Sequence, residues 1–578
     1  GPLATKMALY CGYTAGGYGS NAWAIDGRLT KSGKPLLACD PHLPLMAPCI
    51  GYLQHLEAPG IKAAGYAGPG VPGLVMGHNE EYGFALTHAW IDDCDLFREE
   101  IVDGKCRVPG GFAELEPRTL EVQVRGGEAL NKTVRYGPRG PLINDVLDGV
   151  WGRLDGGPNK ARTSTTSAAE GEGGAEVEEG ISLRWAGQDG GRDLEGYWKL
   201  CTGRSYADFR AGCALFSAPA WNYLYADRDG HIAYQLAGWV PQRSWEGGLD
   251  LVDGSRVGSW SGYLSPEQLP HCFDPKEGII ASANQRIAGD AYPHYLSALF
   301  EPPFRAERAR EVLLEGGHDV DSLRRLQLDT RSAWAARINR DRLQPLLGGD
   351  DAEVAAHPEA RLALLLMRDW DGEMDAEAVA PAVFYSFILA FVRRTLVLRL
   401  GDALAEAVLE RFTMPALAVE KMLARAEDAW FASEDLAGRG RPDTELLEGA
   451  LADAVRGLRA RFGTETSDWR WGRMHRRTQH HPFGDLPAIG RFFDIGPVPA
   501  SGDGTTISTG ILRFSEPYDQ FGGADARLLM DFDDLDGCRW VLASGQSGNP
   551  LSSHYRDQFA LLMAGEDRPW PFSREAVE

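Results

Sequence analysis

The first residues that suggest chemistry are Gly19-Ser20, in the run Gly19-Ser20-Asn21-Ala22-Trp23, with Asp40-Pro41-His42 following. Scission of the Gly19–Ser20 bond would make Ser20 an N-terminal residue carrying both a hydroxyl nucleophile and a free α-amine. That amine can serve as the nucleophile's own general base, with no histidine or carboxylate between them. An α-amine pKa of about 7.7–8.0 leaves a useful fraction neutral at physiological pH. Taken alone, the pair is equally at home in a glycine-rich loop, because Gly16-Gly17-Tyr18 precedes it. An acyl-transfer site needs three further components: donors for the oxyanion, a group that orients the amine, and an acyl pocket.

A serine used in this way must sit on rigid structure, and the periodicity says which. Residues 20–110 read as strands: Asn21-Ala-Trp-Ala-Ile25 alternates, Lys31-Ser-Gly-Lys34 is a turn, and Pro35-Leu-Leu-Ala38 is a buried strand. Residues 51–56, 74–76, 82–87, 119–125, 181–185, 221–226 and 231–235 are further strand candidates. Residues 163–180, rich in Ser, Thr, Glu and Gly, read as an acidic surface insertion. From about residue 300 the period becomes helical: 306–314, 321–347, 359–371, 376–400, 414–430 and 444–461 carry apolar residues at i, i+3 and i+4. Asp319 and Asp321 are the N-cap candidates. Beyond Asp468 the chain returns to loops and strands, including 526–531 and 539–543. This order fits one mixed α+β core with a helical insertion better than a string of separate domains. The expected organisation is a linker over 1–19, a first core part over 20–299, a helical insertion over 300–467 and a closing core part over 468–578.

The 578 residues include 59 basic and 82 acidic side chains, a formal charge of −23. That balance argues against nucleic acid or an anionic membrane as partner. Nine scattered cysteines contain no CxxC pair, a pattern of neither a disulfide scaffold nor a zinc site. No apolar run reaches the roughly 18–20 residues of a membrane-spanning helix, and the first residues hold no visible signal peptide.

Several motifs then share one resemblance. Ser20-Asn-Ala-Trp-Ala-Ile25, Ser32-Gly-Lys-Pro-Leu-Leu-Ala-Cys-Asp-Pro-His42, Gly73-Leu-Val-Met-Gly-His-Asn79 and Thr87-His-Ala-Trp-Ile-Asp-Asp-Cys-Asp-Leu-Phe97 resemble the start of the β-subunit of penicillin acylases. Trp221-Asn222-Tyr-Leu-Tyr-Ala-Asp-Arg-Asp-Gly-His-Ile232 is similar to the family's asparagine segment, and Ser544-Gly-Gln-Ser-Gly-Asn-Pro to its closing signature. The matches fall in order from residue 17 to about residue 572. The family consists of N-terminal-nucleophile hydrolases, so the resemblance implies a four-layer αββα sandwich with the large helical insertion.

Carried over residue by residue, the resemblance implies autocatalytic scission between Gly19 and Ser20, with Ser20 as nucleophile and its α-amine as base. His42 would orient Ser20 or its amine through a hydrogen bond. The main-chain N–H of His88 and the side-chain amide of Asn222 would form the oxyanion hole, and Arg243 would match an arginine near the substrate mouth. Leu43, Met76 and Leu86 would line the acyl pocket, which favours a hydrophobic acyl group. Catalysis would need no cofactor. A structural Ca²⁺ would be held through Asp92, the Cys94 carbonyl and Asp95, hard oxygen donors close in sequence. Trp471-Gly-Arg-Met-His475 and His480-His481-Pro482 also resemble the family and read as structural. The implied protein is an amidohydrolase cleaving a linear amide of a small-molecule substrate. That substrate could be an acyl-homoserine lactone, a β-lactam side chain or an acylated natural-product precursor. Family precursors carry an α-segment before the linker, so an α-subunit is the expected partner, and a periplasmic or secreted location is favoured. The alternative from another class is an unprocessed, catalytically silent homologue that acts as a binding or scaffold protein.

Overall fold

The structure, a computed structural model, describes residues 19–144, 177–245, 250–347, 357–409, 419, 423, 444–512 and 518–578. The proposed linker up to residue 18, most of the 163–180 segment and most of the 414–430 helix fall outside the described residues. Strand β1 (Gly19–Ile25) is buried along its whole length. It lies between the strand Ile279–Ser282 and strand β2 (Leu36–Pro44), antiparallel to both. The β1–β2 register sets Gly19 opposite His42, Ser20 opposite Pro41 and Asn21 opposite Asp40. On its far side β2 pairs with Gln520–Ala524 and Ala526–Asp531, so the first sheet joins the two ends of the chain. A second antiparallel sheet has seven strands, in the order His271–Phe273, Ile232–Ala237, Trp221–Asp227, Tyr82–His88, Met76–Asn79, Ile61–Ala67, Tyr52–Ala58.

Period-two alternation decides what each face touches. Ala22 and Ala24 of β1, with Leu37 and Cys39 of β2, pack against Met76, Ala85, Leu224 and Leu236 of the second sheet. Their neighbours Trp23, Ile25, Leu36 and Ala38 point the other way, onto the helices Phe304–Leu313 and Val320–Gln327 through Ala309, Leu313, Leu323 and Leu326. On the second sheet, Phe84, Leu86, Tyr223 and Tyr225 face outward, onto the helices Asp193–Thr202 and Tyr206–Cys213. The small residues of β1 are therefore what lets the two sheets approach at the serine.

The helical region divides. Its first two helices pack on the first sheet, while Trp334, Phe384, Phe387, Ile388, Leu451 and Trp471 belong to a core of their own. Asp319 caps the helix Val320–Gln327 by accepting from Ser322 N at 2.8 Å, whereas Asp321 sits inside the first turn. The expected continuous helix over 321–347 is broken at Leu328, and Ser332 caps a new helix at Ala333–Ile338. No helix among the described residues is long and apolar enough to cross a membrane.

Candidate active site

Ser20 lies at the start of β1, 5% exposed, on the parity of Ala22 and Ala24 that faces the second sheet. Its hydroxyl donates to Gly19 O at 2.5 Å, so the nucleophile already touches the proposed scissile carbonyl. Its main-chain N–H donates to Asn284 Oδ1 at 2.7 Å. Asn284 Nδ2 in turn donates to His88 O at 2.8 Å, which ties the two sheets together beside the serine. The fourth member is Arg305, 3% exposed. Its guanidinium donates to Ser20 O at 3.0 Å, Asn21 Oδ1 at 2.6 Å, Ala283 O at 2.8 Å and Asn284 Oδ1 at 3.0 Å. All four acceptors are uncharged, so the cation acts on the site without a hydrogen-bonded carboxylate. Burial pulls Arg305 below the usual guanidinium range, and the charges of Glu301 and Asp40 oppose that pull.

Gly19 is required by the same packing. A Cβ there would lie 2.7 Å from Asn284 Oδ1 and 3.0 Å from Arg305 Nη2, and only glycine leaves room.

Asn284 and Arg305 were not among the residues the motifs singled out. One signal belongs to Asn284: it is fully buried with a φ of 67°, a left-handed conformation that a non-glycine residue holds only when its surroundings enforce it. Nothing in the local pattern marks Arg305, which reads as an ordinary first-turn arginine until the helix docks on β1.

The sequence-selected residues are placed as follows. Asn222 is buried on Trp221–Asp227, the strand of the second sheet beside Tyr82–His88. Its amide donates to Thr87 Oγ1 at 3.0 Å and His88 O at 3.3 Å, and its Oδ1 accepts from Tyr234 OH at 2.8 Å. It is next to His88, with its amide bonded to Thr87 Oγ1 and His88 O, while the asparagine that bonds Ser20 directly is Asn284. The ring of His88 packs edge-on against Trp90 and Trp221, and burial lowers its pKa to about 4, which leaves it neutral. His42 is fully buried and bonds through Nε2 to Asp40 Oδ2 at 2.9 Å. Burial holds it below the ordinary imidazole range in spite of Asp40. Asn21, Asp40 and His42 share the parity of Trp23 and Ala38, which face the helices, so His42 meets Asn21 at 3.3 Å rather than Ser20. Its route to the serine runs through Asn21 Oδ1 and Arg305.

Of the expected pocket residues, Met76 faces the inter-sheet core with Cys39, and Leu43 is half-buried near the end of β2. Leu86 packs outward with Leu200, Phe209 and Tyr223. Alternation from Thr87, whose Oγ1 meets Ser282 Oγ at 2.6 Å between the sheets, puts Leu86 on the wrong face for the same cavity.

Arg243 is not at Ser20. Its guanidinium donates to Asp95 Oδ2 at 2.6 Å, Asp92 O at 2.7 Å and Asp92 Oδ1 at 3.2 Å. It therefore binds the two carboxylates expected to hold a cation. Burial raises the Asp92 carboxyl to about 7, against the attraction of Arg243. Cys94 opens the strand Cys94–Val102, paired with Trp185. No cluster of metal-ligating side chains is present among the described residues.

A model of the penicillin amidase family matches residues 3–578. The chain belongs to this family. It is 27% identical over 595 residues to the acyl-homoserine lactone acylase QuiP of Pseudomonas aeruginosa, covering 97% of this chain and 67% of that protein. It is 30% identical over 562 residues to the penicillin acylase 2 proenzyme of Pseudomonas sp. strain SE83, covering 94% of this chain and 66% of that protein. The chain thus spans about two thirds of the length of these relatives. A solved thermostable penicillin G acylase from Alcaligenes faecalis shares the fold at a TM-score of 0.69, with 17% identity and coverage of 96% of this chain and 97% of that one. The relatives of this family member are acylases, and its helix and strand content is that of the penicillin G acylase fold.

Proposed function

We propose that the protein is an amidohydrolase that cleaves a linear amide through an acyl-enzyme on Ser20, after scission of the Gly19–Ser20 bond. The observation that carries this reading is the single network joining Ser20 N, Asn284, His88 O and Arg305 at 2.7–3.0 Å, packed on Gly19 so that a Cβ there would meet Asn284 Oδ1 at 2.7 Å. The layering of helices, sheet, sheet and helices supports the αββα N-terminal-nucleophile sandwich as its scaffold. The word proenzyme in the name of the Pseudomonas sp. relative supports processing.

In scission, Ser20 Oγ attacks the Gly19 carbonyl carbon. The Gly19–Ser20 C–N bond breaks as the C–O ester bond forms, which frees the Ser20 α-amine, and water then hydrolyses the ester to a Gly19 carboxylate and the free Ser20 hydroxyl. In turnover the amine, still held by Asn284 Oδ1, takes the Oγ proton as Oγ attacks the substrate carbonyl. The fixed charge of Arg305 disfavours a protonated amine and so keeps the base neutral. Asn284 Nδ2, on releasing His88 O, and the His88 main-chain N–H are the proposed oxyanion donors; Asn222, whose amide bonds both Thr87 Oγ1 and His88 O, supports His88 from behind. The amine returns the proton to the leaving nitrogen, and water then resolves the ester on Ser20. His42 and Asp40 position Asn21 and, through it, Arg305. A hydrophobic acyl group is favoured by Met76 and its apolar neighbours, and the named relatives make acyl-homoserine lactones and penicillins the first substrates to try.

The test combines intact mass and N-terminal sequencing with a chromogenic-amide assay across acyl-chain lengths, on the full chain and any partner chain. The expected result is a new terminus at Ser20, hydrolysis that depends on it, and loss of both in Ser20→Ala. Undiminished turnover by Ser20→Ala refutes the assignment. A single uncut, inactive species supports the scaffold reading instead.

A further inference from the structure

The resemblance to the family implies a Ca²⁺ at Asp92, the Cys94 carbonyl and Asp95, and the residues present do not fit one. Ca²⁺ takes about six to eight oxygen ligands at roughly 2.3–2.6 Å. Here the groups that converge on the two carboxylates are donors. Asp95 Oδ2 accepts from Arg243 Nε at 2.6 Å and from Trp260 Nε1 at 2.6 Å. Asp92 Oδ1 accepts from Arg243 Nη2 at 3.2 Å, and Asp92 Oδ2 from Tyr295 OH at 3.0 Å. The main-chain oxygen of Asp92 also accepts from Arg243 Nη2, at 2.7 Å.

We infer that Arg243 stands in for a divalent cation at the Asp92–Asp95 pair, and that this member of the family holds no calcium there. The side chain of Arg243 is 3% exposed and that of Asp95 is 2% exposed, so the pair is a built element of the interior and not a surface contact. The guanidinium lies 5.6 Å from the ring centres of both Trp260 and Tyr295, an aromatic cradle that suits a flat, weakly hydrated cation and offers a metal no ligand. A guanidinium cannot release its proton to make way for a metal. Its departure would leave the buried carboxylates of Asp92 and Asp95 without their counter-charge. The two carboxylates come from the segment after the strand Tyr82–His88, and Asp92 N donates to Leu296 O at 2.8 Å. The ion pair and its neighbours therefore join three stretches of chain: residues 92–95, 243 and 295–296.

The experiment is metal analysis of the protein as purified, with thermal melts in a chelator and in about 5 mM CaCl₂. The expected wild-type result is no stoichiometric calcium and a Tm that agrees within about 1 °C between the two buffers. In Arg243→Gln the two carboxylates lose their counter-charge. Tm should fall by on the order of 3 °C, and CaCl₂ should now raise it. Arg243→Lys, which keeps the charge but not the fork, should fall between the two. One equivalent of calcium in the wild type that disappears in Asp92→Asn overturns the inference, whereas calcium that persists in Asp92→Asn sits elsewhere and leaves it standing. If Arg243→Gln does not fold, the wild-type metal content and chelator melt decide the matter on their own.

Discussion

Replacing Asn284 by glycine is the sharpest test of the site, because Asn284 bonds Ser20 directly whereas the amide of Asn222 bonds Thr87 and His88. Asn284 accepts from Ser20 N at 2.7 Å and donates to His88 O at 2.8 Å. Glycine is the right replacement because the φ of 67° costs it nothing, whereas alanine would add backbone strain to the lost amide. Loss of one oxyanion donor typically removes about 3–4 kcal/mol of transition-state stabilisation, so kcat should fall by about 10²–10³ with little change in KM. Asn222→Ala is the paired control. It leaves Tyr234 OH and Thr87 Oγ1 short of a partner, at a cost of about 1–3 kcal/mol in stability, yet kcat should stay within about tenfold of wild type. The assay is single-turnover and steady-state hydrolysis of a p-nitroanilide by protein whose Ser20 terminus has been verified by mass. Where Asn284→Gly also slows scission, the chain is produced starting at Ser20. A large kcat loss in Asn222→Ala beside near-normal turnover in Asn284→Gly would refute the assignment of the amide.

Gly19→Ala should slow scission at least tenfold, since a Cβ 2.7 Å from Asn284 Oδ1 moves the scissile carbonyl; intact mass over time reads the rate. Arg305→Gln removes the cation that keeps the α-amine neutral, so the acid limb of kcat/KM should move to higher pH, and a profile unchanged from wild type would count against that role. Burial holds His475 and His78 at about 4, below their unfolded value near 6.5. The unfolded chain therefore binds protons first as pH drops, and stability present above about 6.5 is lost progressively down to about 4, by up to about 3 kcal/mol for each histidine. His475→Gln should flatten that slope in denaturant titrations between these pH values, and an unchanged slope would show that the imidazole is not the group responsible.

Much of the scaffold was legible because its signals are local. Alternation of small and large apolar residues at 21–25 marks β1, and turn chemistry at 31–34 and 227–230 marks where its neighbours reverse. The shift to helical period near residue 300 follows from side-chain spacing alone. The proposal for Ser20 was legible for the same reason, as the proposed nucleophile and base belong to one residue. What the sequence left open about the site has a different cause. Asn222 and Arg243 were chosen by motif, but the atoms an amide or a guanidinium meets are contributed by strands and loops far along the chain. Leu86 was chosen by its position in the resemblance, which does not say which face of a sheet a residue takes until the register is known.

What the sequence by itself determined is therefore the kind of chemistry and the strand that carries it. Gly19-Ser20, the alternation of β1 and the ordered motifs need only near neighbours to be read. The tertiary structure decided which groups serve the serine. Asn284 reaches Ser20 N from 264 residues away and Arg305 reaches Ser20 O from 285 residues away. That convergence arises because the strand Ile279–Ser282 pairs with β1 and the helix Phe304–Leu313 packs on the face of β1 that bears Trp23 and Ile25. Only burial, which removes competing water from these polar groups, makes so distant a set act as one site.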